Sequence, residues 1–526
     1  MKHLYFAVLL LFAVLLLACG SGKVTPPPPA GPYSNATLTG QYAFLLNGYL
    51  TNGAYMARIG SFIADGSGHL TGGLQDALNL STAAPASVIS ISSGSYTIQA
   101  NGSGTLTLNG SDGSVLQLIL MLQSTTTGFL AETDFNAIVS GTFNLQTTSD
   151  FSNAALAHPY VFGLSGVSFL NSTAAPIAMV GQTVLNGSGA ITGGVMDTND
   201  GHSTTPSGAT PIAPSTYSID TNGNGANFGR GMMSFNGRTY AFYIVDATRY
   251  ELLEEDSMGG SSGEVLQQSS TIPTQDSAFK GGFVYFIGSG VSFLGAKGQV
   301  VRVGRFTADG SGNIGAISLD DNNDGIYTHV SQGGNISAAT YTIDTTYAGS
   351  GRGTYTFHAS GPGTFIDTFY MISPTQGVVS ENSRGIIGTG PLYSQNSPSF
   401  SLSSLAGTYV SLWTGEQLSY ITAVPFQENF LVHHTLANTN SANISGVSNY
   451  VELGIAAKNF YTNVGIGGTL SINEHGTDNN HYQFAVSGPN PVTVDFQAYF
   501  TDSGTVFMIC NDNTRVTSGT IVPQQQ

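Results

Sequence analysis

The chain has 526 residues, a formal net charge of −17, and charged side chains at only 9% of its positions. This acidic balance argues against binding to nucleic acid, which requires clustered lysine and arginine side chains to displace counterions. The 68 glycines, together with many Ser, Thr and Asn residues, favour short strands and tight turns over long helices.

The first 18 residues predict an export signal peptide. Lys2 precedes an almost unbroken apolar run over residues 4–18, which is shorter than the roughly 20 residues of a stable membrane span. The run ends in Leu16-Leu17-Ala18-Cys19, which resembles the lipobox of bacterial lipoproteins. The resemblance implies cleavage before Cys19, a diacylglyceryl group on its sulfur, and acylation of the new amino terminus. An ordinary secretory signal with an incidental cysteine is the alternative.

Residues 19–37 predict a flexible, proline-rich tether that holds the first domain off the membrane. Gly20 replaces the aspartate that tends to retain such lipoproteins at the inner membrane, so the resemblance favours the outer membrane. Several acyl chains anchor a protein firmly. If Cys19 carries lipid, Cys510 is the other cysteine, and no intrachain disulfide forms. We predict that Cys510 is a small buried side chain in a strand.

A hairpin-forming segment occurs three times, at residues 65–76, 185–197 and 309–320. Each copy contains Asp-Gly or Asn-Gly, which supplies positive φ angles and reverses an antiparallel strand. A period of about 120 residues predicts tandem domains, because one unit of that length can close its own core.

We predict four all-β domains, at residues 38–148, 156–270, 279–396 and, in a divergent copy, 400–526. About eight short antiparallel strands in each unit fit a small barrel or a two-sheet sandwich. Gly-x-Tyr openings, such as the one at residues 40–42, and closing Gly-Thr strands resemble calycins, the up-and-down barrels that include lipocalins and avidins. That resemblance implies a ligand cup in each unit, although the Trp expected in the motif is missing. A packed sandwich without a cup is the alternative.

Residues 115–123 are apolar at both alternating sets of positions. A strand of this pattern is buried on both faces. We therefore predict that this strand of the first unit has protein on both of its sides.

The segment 320–325 matches the opening of a calcium loop. Asp320, Asn322 and Asp324 place oxygen-bearing side chains at the first, third and fifth positions, and a glycine follows. The twelfth position is Ser331, where such a loop needs a bidentate glutamate, so an ordinary Asx-rich turn is the alternative. We predict no cofactor apart from this calcium candidate.

Glu132, Glu254 and Glu381 recur at matched positions of the first three units. Paired carboxylates held roughly 5–10 Å apart could hydrolyse a glycan, whereas a recurrent Glu at a strand end more often has a structural partner. We predict no catalytic residue. The acidic run at residues 251–256 is interpreted as a solvated loop or strand end.

The fourth unit contains four histidines whose spacing does not match a metal site. We interpret them as ordinary surface or core residues: His433, His434, His475 and His481.

Taken together, the sequence predicts an exported, lipid-anchored envelope protein with a non-catalytic binding or spacer role, whose partner is a glycan or a protein. One alternative is a carrier of an apolar small molecule, which requires an internal cavity. Another is a glycan hydrolase that uses the recurrent carboxylates, which requires convergent acids in a cleft and perturbed pKa values.

Overall fold

The computed structural model describes the chain from Pro32 to Gln525 apart from short internal segments. Those segments are residues 51–53, 81–84, 134–136, 171–172, 204–205, 221–224, 293–298, 332–333, 335, 360–362, 383–385, 398, 419–425, 438–441, 454–457, 474–476, 479 and 488–490. The predicted signal peptide, Cys19 and His475 lie outside the described residues. Among the described residues, no helix is long and apolar enough to cross a membrane.

Barrel 1 is a closed, eight-stranded, antiparallel barrel in which each strand pairs with the next. Its strands are β1 (Thr39–Leu50), β2 (Tyr55–Asp65), β3 (His69–Asn79), β4 (Ser87–Ile98), β5 (Ser103–Gly110), β6 (Val115–Leu122), β7 (Thr127–Glu132) and β8 (Ala137–Leu145). The predicted Asp-Gly hairpin joins β2 to β3, where the Asp65 carboxylate accepts hydrogen bonds from the amides of Ser67 and His69 at 2.7 and 3.0 Å. Pairing of β8 with β1 closes the barrel.

Barrel 2 repeats this order, with its fourth strand split in two. Its strands are β9 (Pro159–Leu170), β10 (Thr173–Leu185), β11 (Ala190–Asp200), β12 (Ser207–Pro211), β13 (Ser215–Ile219), β14 (Arg230–Phe235), β15 (Arg238–Asp246), β16 (Arg249–Glu254) and β17 (Gly259–Gln267). Residues 195–198 of β11 pair with β12, and residues 190–191 at the start of β11 pair with β13. Pairing of β9 with both β10 and β17 completes the barrel.

Barrel 3 is nearly closed and has the same split. Its strands are β18 (Lys280–Ser292), β19 (Gln299–Asp309), β20 (Ile314–Asn323), β21 (Ile326–Ser331), β22 (Ile336–Ile343), β23 (Arg352–Ala359), β24 (Gly363–Ser373), β25 (Gln376–Glu381), β26 (Ile386–Ile387) and β27 (Thr389–Ser394). An isolated bridge between Asn313, just before β20, and Thr340 on β22 spans the gap between these two strands.

Barrel 4, the divergent copy, is closed again. Its strands are β28 (Gly407–Gln417), β29 (Phe426–Leu436), β30 (Ala442–Leu453), β31 (Lys458–Ser471), β32 (Asn480–Val486), β33 (Val492–Phe500), β34 (Val506–Cys510) and β35 (Arg515–Pro523). The described helices are single turns: Asn35–Thr37, Thr148–Asp150, Asn153–Leu156, Gly225–Phe228, Asp276–Ala278 and Leu402–Leu405. The predicted all-β fold of four antiparallel units is confirmed, and the units are barrels rather than sandwiches.

Each barrel has its own apolar core. In barrel 4 the ring of Trp413 on β28 lies 4.6 and 5.1 Å from those of Phe484 on β32 and Phe496 on β33. Neither of these strands is next to β28 in the barrel. In barrel 3, Phe306 on β19 lies 5.0 Å from Tyr355 on β23. An eight-stranded barrel has just enough interior space for side chains. These described cores are therefore packed, unlike the cup that the calycin resemblance implies.

Four further apolar clusters lie outside the barrels, at the junctions between them. The early strands of one barrel pack against late strands of the next, and barrel 4 packs in the same way against barrel 1. Representative pairs of buried residues are Tyr55 and Tyr243 for junction 1–2, Val180 and Tyr370 for junction 2–3, Phe286 and Phe507 for junction 3–4, and Leu431 and Met121 for junction 4–1. The four barrels thus form a closed ring.

The two ends of the barrels form two different faces of this ring. The linker face contains Tyr33, the Asp-Gly and Asn-Gly hairpins, and the segments 146–158, 268–279 and 395–406 that join the barrels. The loop face is the opposite end, where β1 leads to β2 and β3 leads to β4.

Candidate functional site in the barrels and their junctions

The recurrent glutamates form ion pairs inside the barrels. The Glu254 carboxylate pairs with Arg238 and accepts a hydrogen bond from the Ser261 hydroxyl at 2.7 Å. Arg302 Nη1 donates to Glu381 Oε2 at 2.6 Å. All five side chains are buried, so these carboxylates are held in packed interiors and not in a cleft.

Barrel 4 contains an equivalent pair that the sequence analysis missed. Glu428 pairs with Arg515 and accepts a hydrogen bond from the Thr517 hydroxyl at 2.5 Å. The arginines could not be matched by repeat position, since they come from β15 in barrel 2, β19 in barrel 3 and β35 in barrel 4. Glu132 of barrel 1 is also buried.

Burial dominates the electrostatics of these acids. It raises the pKa of Glu254 to about 7 despite the nearby Arg238. In barrel 3, burial and the neighbouring Glu381 raise the pKa of Asp367 to about 8. Perturbed pKa values of this kind accompany catalysis only where a substrate can reach the acids, and here packed side chains surround them.

The prediction of a solvated segment at residues 251–256 is wrong at its first and fourth positions. Glu251 and Glu254 lie on β16, and both have 0% exposure. Strand alternation is the cause: it points Glu254 into barrel 2 and Glu251 outward towards barrel 1. Neither Glu251 carboxylate oxygen has a hydrogen-bond partner.

The calcium candidates lie at junction 3–4. The Asp320 carboxylate accepts hydrogen bonds from the hydroxyls of Tyr327 and Tyr499 at 2.5 and 2.7 Å, and it lies 2.8 Å from His329 Nδ1. Asn322 Nδ2 donates to two main-chain carbonyls of barrel 4, at 2.8 and 2.9 Å.

Asp324 lies apart from these two residues, in the turn after β20, with a φ of 52°. Asp320 and Asn322 therefore share one face of β20, while Asp324 is in the following loop. No group of three His, Cys, Asp or Glu side chains suited to a metal is found among the described residues. Calcium binding stays a prediction.

Each of the three hairpin-forming segments ends in an aspartate: Asp76, Asp197 and Asp320. The first two of these aspartates have a structural role at the other junctions. The Asp76 carboxylate of barrel 1 accepts hydrogen bonds from Arg230 Nε and Nη2 at 2.8 and 2.7 Å, and from the Tyr243 hydroxyl at 2.7 Å. At junction 2–3, Asp197 accepts the same three hydrogen bonds, at 2.8, 2.7 and 2.6 Å, from Arg352 and Tyr370.

These junction arginines were missed, although the sequence contains a signal for them. Arg230 and Arg352 each stand between two glycines at matched positions of the second and third units. Such bidentate pairs fix two surfaces in one relative orientation, so the recurrent aspartate serves to join barrels.

A glutamine after the last strand of each barrel forms a second contact with the next barrel. Its side-chain Nε2 donates to two main-chain carbonyls of that barrel, over distances of 2.5 to 3.1 Å. The four residues are Gln146, Gln268, Gln395 and Gln524. Gln524 donates to Asn101 and Leu122 of barrel 1, so the pattern runs around the whole ring.

The remaining residues that the sequence analysis singled out are packed against other side chains or paired with them. Cys510 is buried in β34, as predicted. The His434 ring lies 5.7 and 5.4 Å from those of Tyr409 and Phe484, and burial lowers its pKa to about 3. His481 is partly exposed, 3.1 Å from Asp495. For His434 and His481 the interpretation as a core residue and a surface residue is confirmed, whereas His475 lies outside the described residues.

Exposed apolar side chains occur at one end of the ring. Seven large apolar residues in the described ranges are well exposed: Val88, Val115, Leu170, Met258, Ile326, Ile366 and Phe460. Each lies in the loop-face half of its strand or in a loop-face turn. Apolar side chains that are grouped on one surface are a common feature of protein-binding sites.

No family model and no curated protein matches this chain. Solved structures with some similarity include a double mutant of the vaccine antigen transferrin binding protein B from Haemophilus parasuis Hp5, with 8% identity and a TM-score of 0.20 over 75% of this chain and 82% of that chain. A single mutant of the same antigen has 9% identity and a TM-score of 0.18, over 75% of this chain and 81% of that chain. Intact Ap-TbpB has 8% identity and a TM-score of 0.15, over 75% of this chain and 82% of that chain. TM-scores of this size carry no argument about function.

Proposed function

We propose that the protein is an exported, lipid-anchored, non-catalytic platform that binds a protein partner through the loop face of its barrel ring. One observation carries the proposal. All seven well-exposed large apolar side chains of the described residues lie at the loop face. Tyr33 lies at the linker face, and although it falls within the predicted tether 19–37, it is buried in the core of barrel 1.

This arrangement gives the platform a direction. With Cys19 lipidated and the residues before Tyr33 acting as a tether, the linker face is the one drawn towards the membrane. The loop face then points away from the membrane, where a partner can approach. The Asp–Arg pairs at junctions 1–2 and 2–3 support a fixed arrangement of barrels 1, 2 and 3, and a fixed arrangement loses little conformational entropy on binding.

The interiors argue for binding over transport or catalysis. A carrier needs an open cavity, but the described barrel cores are packed across their centres by rings such as Trp413 and Phe306. A hydrolase needs accessible acids, but Glu254 and Glu381 are buried in ion pairs.

The chemistry of the exposed residues favours a protein over a glycan. Phe460 is the single aromatic residue of the seven, and the other six are aliphatic or Met. Aromatic rings are the side chains that could stack on sugars, whereas exposed aliphatic side chains suit contact with a protein.

Site-specific photo-crosslinking in the native envelope tests this proposal. A photoreactive amino acid is placed at Leu170 or Ile326 on the loop face and, as matched controls, at the exposed turn residues Ser67 or Ser311 on the linker face. We expect one protein adduct at both loop-face positions and none at the controls. Adducts of equal strength on both faces, or an adduct to glycan, would contradict the proposal.

The anchor is tested separately with Cys19→Ser. We expect this variant to leave the membrane fraction and to lose metabolic labelling by a fatty acid. A variant that stays in the membrane fraction would remove the lipid anchor from the proposal and leave the loop-face experiment unaffected.

A further inference from the structure

The four junctions of the ring are built on one plan but are not equally fastened. Junctions 1–2 and 2–3 each contain a bidentate Asp–Arg pair across the barrels. Junction 3–4 lacks such an arginine among its described residues, but Tyr499 and Asn322 still form side-chain hydrogen bonds across it. In addition, a short covalent linker spans each of these three junctions.

In the described part of the chain, junction 4–1 has no Asp–Arg pair, no side-chain hydrogen bond between the packed strands of the two barrels and no covalent linker. Most of its buried side chains are apolar: Ile119, Met121, Phe129, Ala131 and Ile138 of barrel 1 meet Val410, Leu431, Val451 and Val522 of barrel 4. The uncharged Asn429, which pairs with Val451 across β29 and β30, is also buried on this side of barrel 4. In the described residues no linker joins barrel 4 to barrel 1, because barrels 2 and 3 lie between them in the order of the sequence.

The hydrogen bonds between described residues of barrels 1 and 4 all involve three residues on the linker face. Gln524 Nε2 donates to the carbonyls of Asn101 and Leu122, at 3.0 and 2.8 Å. The Gln525 amide donates to the carbonyl of Gln123 at 2.7 Å. The Tyr33 hydroxyl donates to the Gln525 carbonyl at 2.5 Å.

We propose that the ring opens and closes at junction 4–1, with Tyr33, Gln524 and Gln525 as the clasp that holds it shut. The apolar faces close the junction without fixing it by charge, so they can part without stranding a buried ion. The three linked junctions hold the other barrels together while this one opens. Tyr33 also lies in the segment predicted as the tether, so a pull on the residues between Cys19 and Tyr33 acts directly on the clasp.

Thiol labelling in native buffer measures this opening. Ala131→Cys places a thiol in junction 4–1, and Ala241→Cys places one in junction 1–2; both alanines have 0% exposure. Peptide mass spectrometry reads each position separately from Cys19 and Cys510. We expect the thiol at position 131 to react at least about tenfold faster than that at 241, because local opening precedes global unfolding. Equal rates, or faster reaction at 241, would overturn the proposal.

The clasp is tested in the Ala131→Cys background with a matched pair of glutamine variants. Gln524→Ala removes two hydrogen bonds to buried carbonyls, and we expect it to accelerate labelling at position 131 by about tenfold. Gln146→Ala removes the equivalent bonds of junction 1–2, and we expect labelling at 131 to change by less than about twofold. Equal acceleration by both variants would mean general loosening and would refute a specific clasp.

Hydrogen exchange of the unmodified protein gives a readout that does not depend on any variant folding. The amides of Gln525 and Thr147 make equivalent bonds, to the carbonyls of Gln123 and Val245. After correction for intrinsic rates, we expect Gln525 to exchange at least about tenfold faster than Thr147. Equal protection would contradict an opening junction 4–1.

Discussion

Glu251→Gln is predicted to stabilise the protein in a pH-dependent way. Glu251 is buried on the outer face of β16, with both carboxylate oxygens unpartnered. The nearby Arg249 does not satisfy it, because Arg249 Nε lies 3.0 Å from Glu264 Oε1 and Nη1 donates to Asn144 at 2.9 Å. Burial, followed by the charge of Glu264, raises the pKa of Glu251 to about 8.

The sign and size of the effect follow from proton linkage. Between pH 4.5, the ordinary glutamate value, and about pH 8, the folded state keeps a proton that the unfolded state releases. Stability is therefore lost as the pH rises through this window, by at most about 1.4 kcal/mol per pH unit. Gln keeps the shape of the protonated acid without this loss. We expect Glu251→Gln to be neutral at pH 4 and to stabilise by roughly 2–4 kcal/mol at pH 8.5.

Thermal unfolding of both proteins from pH 4 to 9 measures this difference. We expect the Tm of the variant to exceed that of the wild type by about 5 °C or more at pH 8.5, with the gap closing towards pH 4. The exposed Asp112→Asn serves as the control and should give no gap that grows with pH. A gap largest at acidic pH, or absent throughout, would refute the assignment of Glu251 as a buried, unsatisfied acid.

Other substitutions measure separately how the junctions and the barrel cores contribute to stability. Arg230→Met strands the buried Asp76 and should destabilise junction 1–2 by about 3–5 kcal/mol in urea unfolding, whereas the double variant with Asp76→Leu should recover most of that loss; additive costs would contradict the ion-pair account. Trp413→Ala should cost about 3–5 kcal/mol and loosen barrel 4 specifically in hydrogen exchange, while equal loosening of all barrels would argue against separate cores. Because Asp320 and Asn322 already bond to protein groups, calorimetry with calcium should give no saturable heat, and a saturable heat would support the calcium hypothesis.

The sequence was sufficient to predict local structure. The Asp-Gly hairpin at residues 65–69 and the strand around Cys510 form as expected, because turn chemistry and strand alternation depend on nearby residues. The choice between barrel and sandwich stayed open since alternation is the same in both. Closure depends on pairings such as β8 with β1, whose residues lie far apart in the chain.

The site residues were harder to predict because their partners lie far away in the sequence. Glu254 and Glu381 were found through their recurrence, but their arginines occupy unrelated repeat positions. Asp320 was interpreted through its loop neighbours, whereas its structural role involves Tyr499 of the next barrel. Glu251 looked solvated because acids rarely lack a partner when buried, and only the neighbouring barrel removes it from water.

The closed ring follows from one strand whose apolar pattern the sequence does contain. The segment 115–123 was predicted to be buried on both faces. The prediction is confirmed in the second half of β6, where Leu118 and Leu120 lie in the core of barrel 1 and Ile119 and Met121 lie on its buried outer side. It is wrong at the start of the strand, where Val115 and Gln117 are exposed. In an open row of four barrels, the first barrel would meet a neighbour only through its early strands, as at junction 1–2, and this outer side would face water. An apolar outer side on the late strands of the first unit therefore requires another barrel. Barrel 4 is the one whose early strands are not already used, so two-sided burial of β6 is the sequence signature of ring closure.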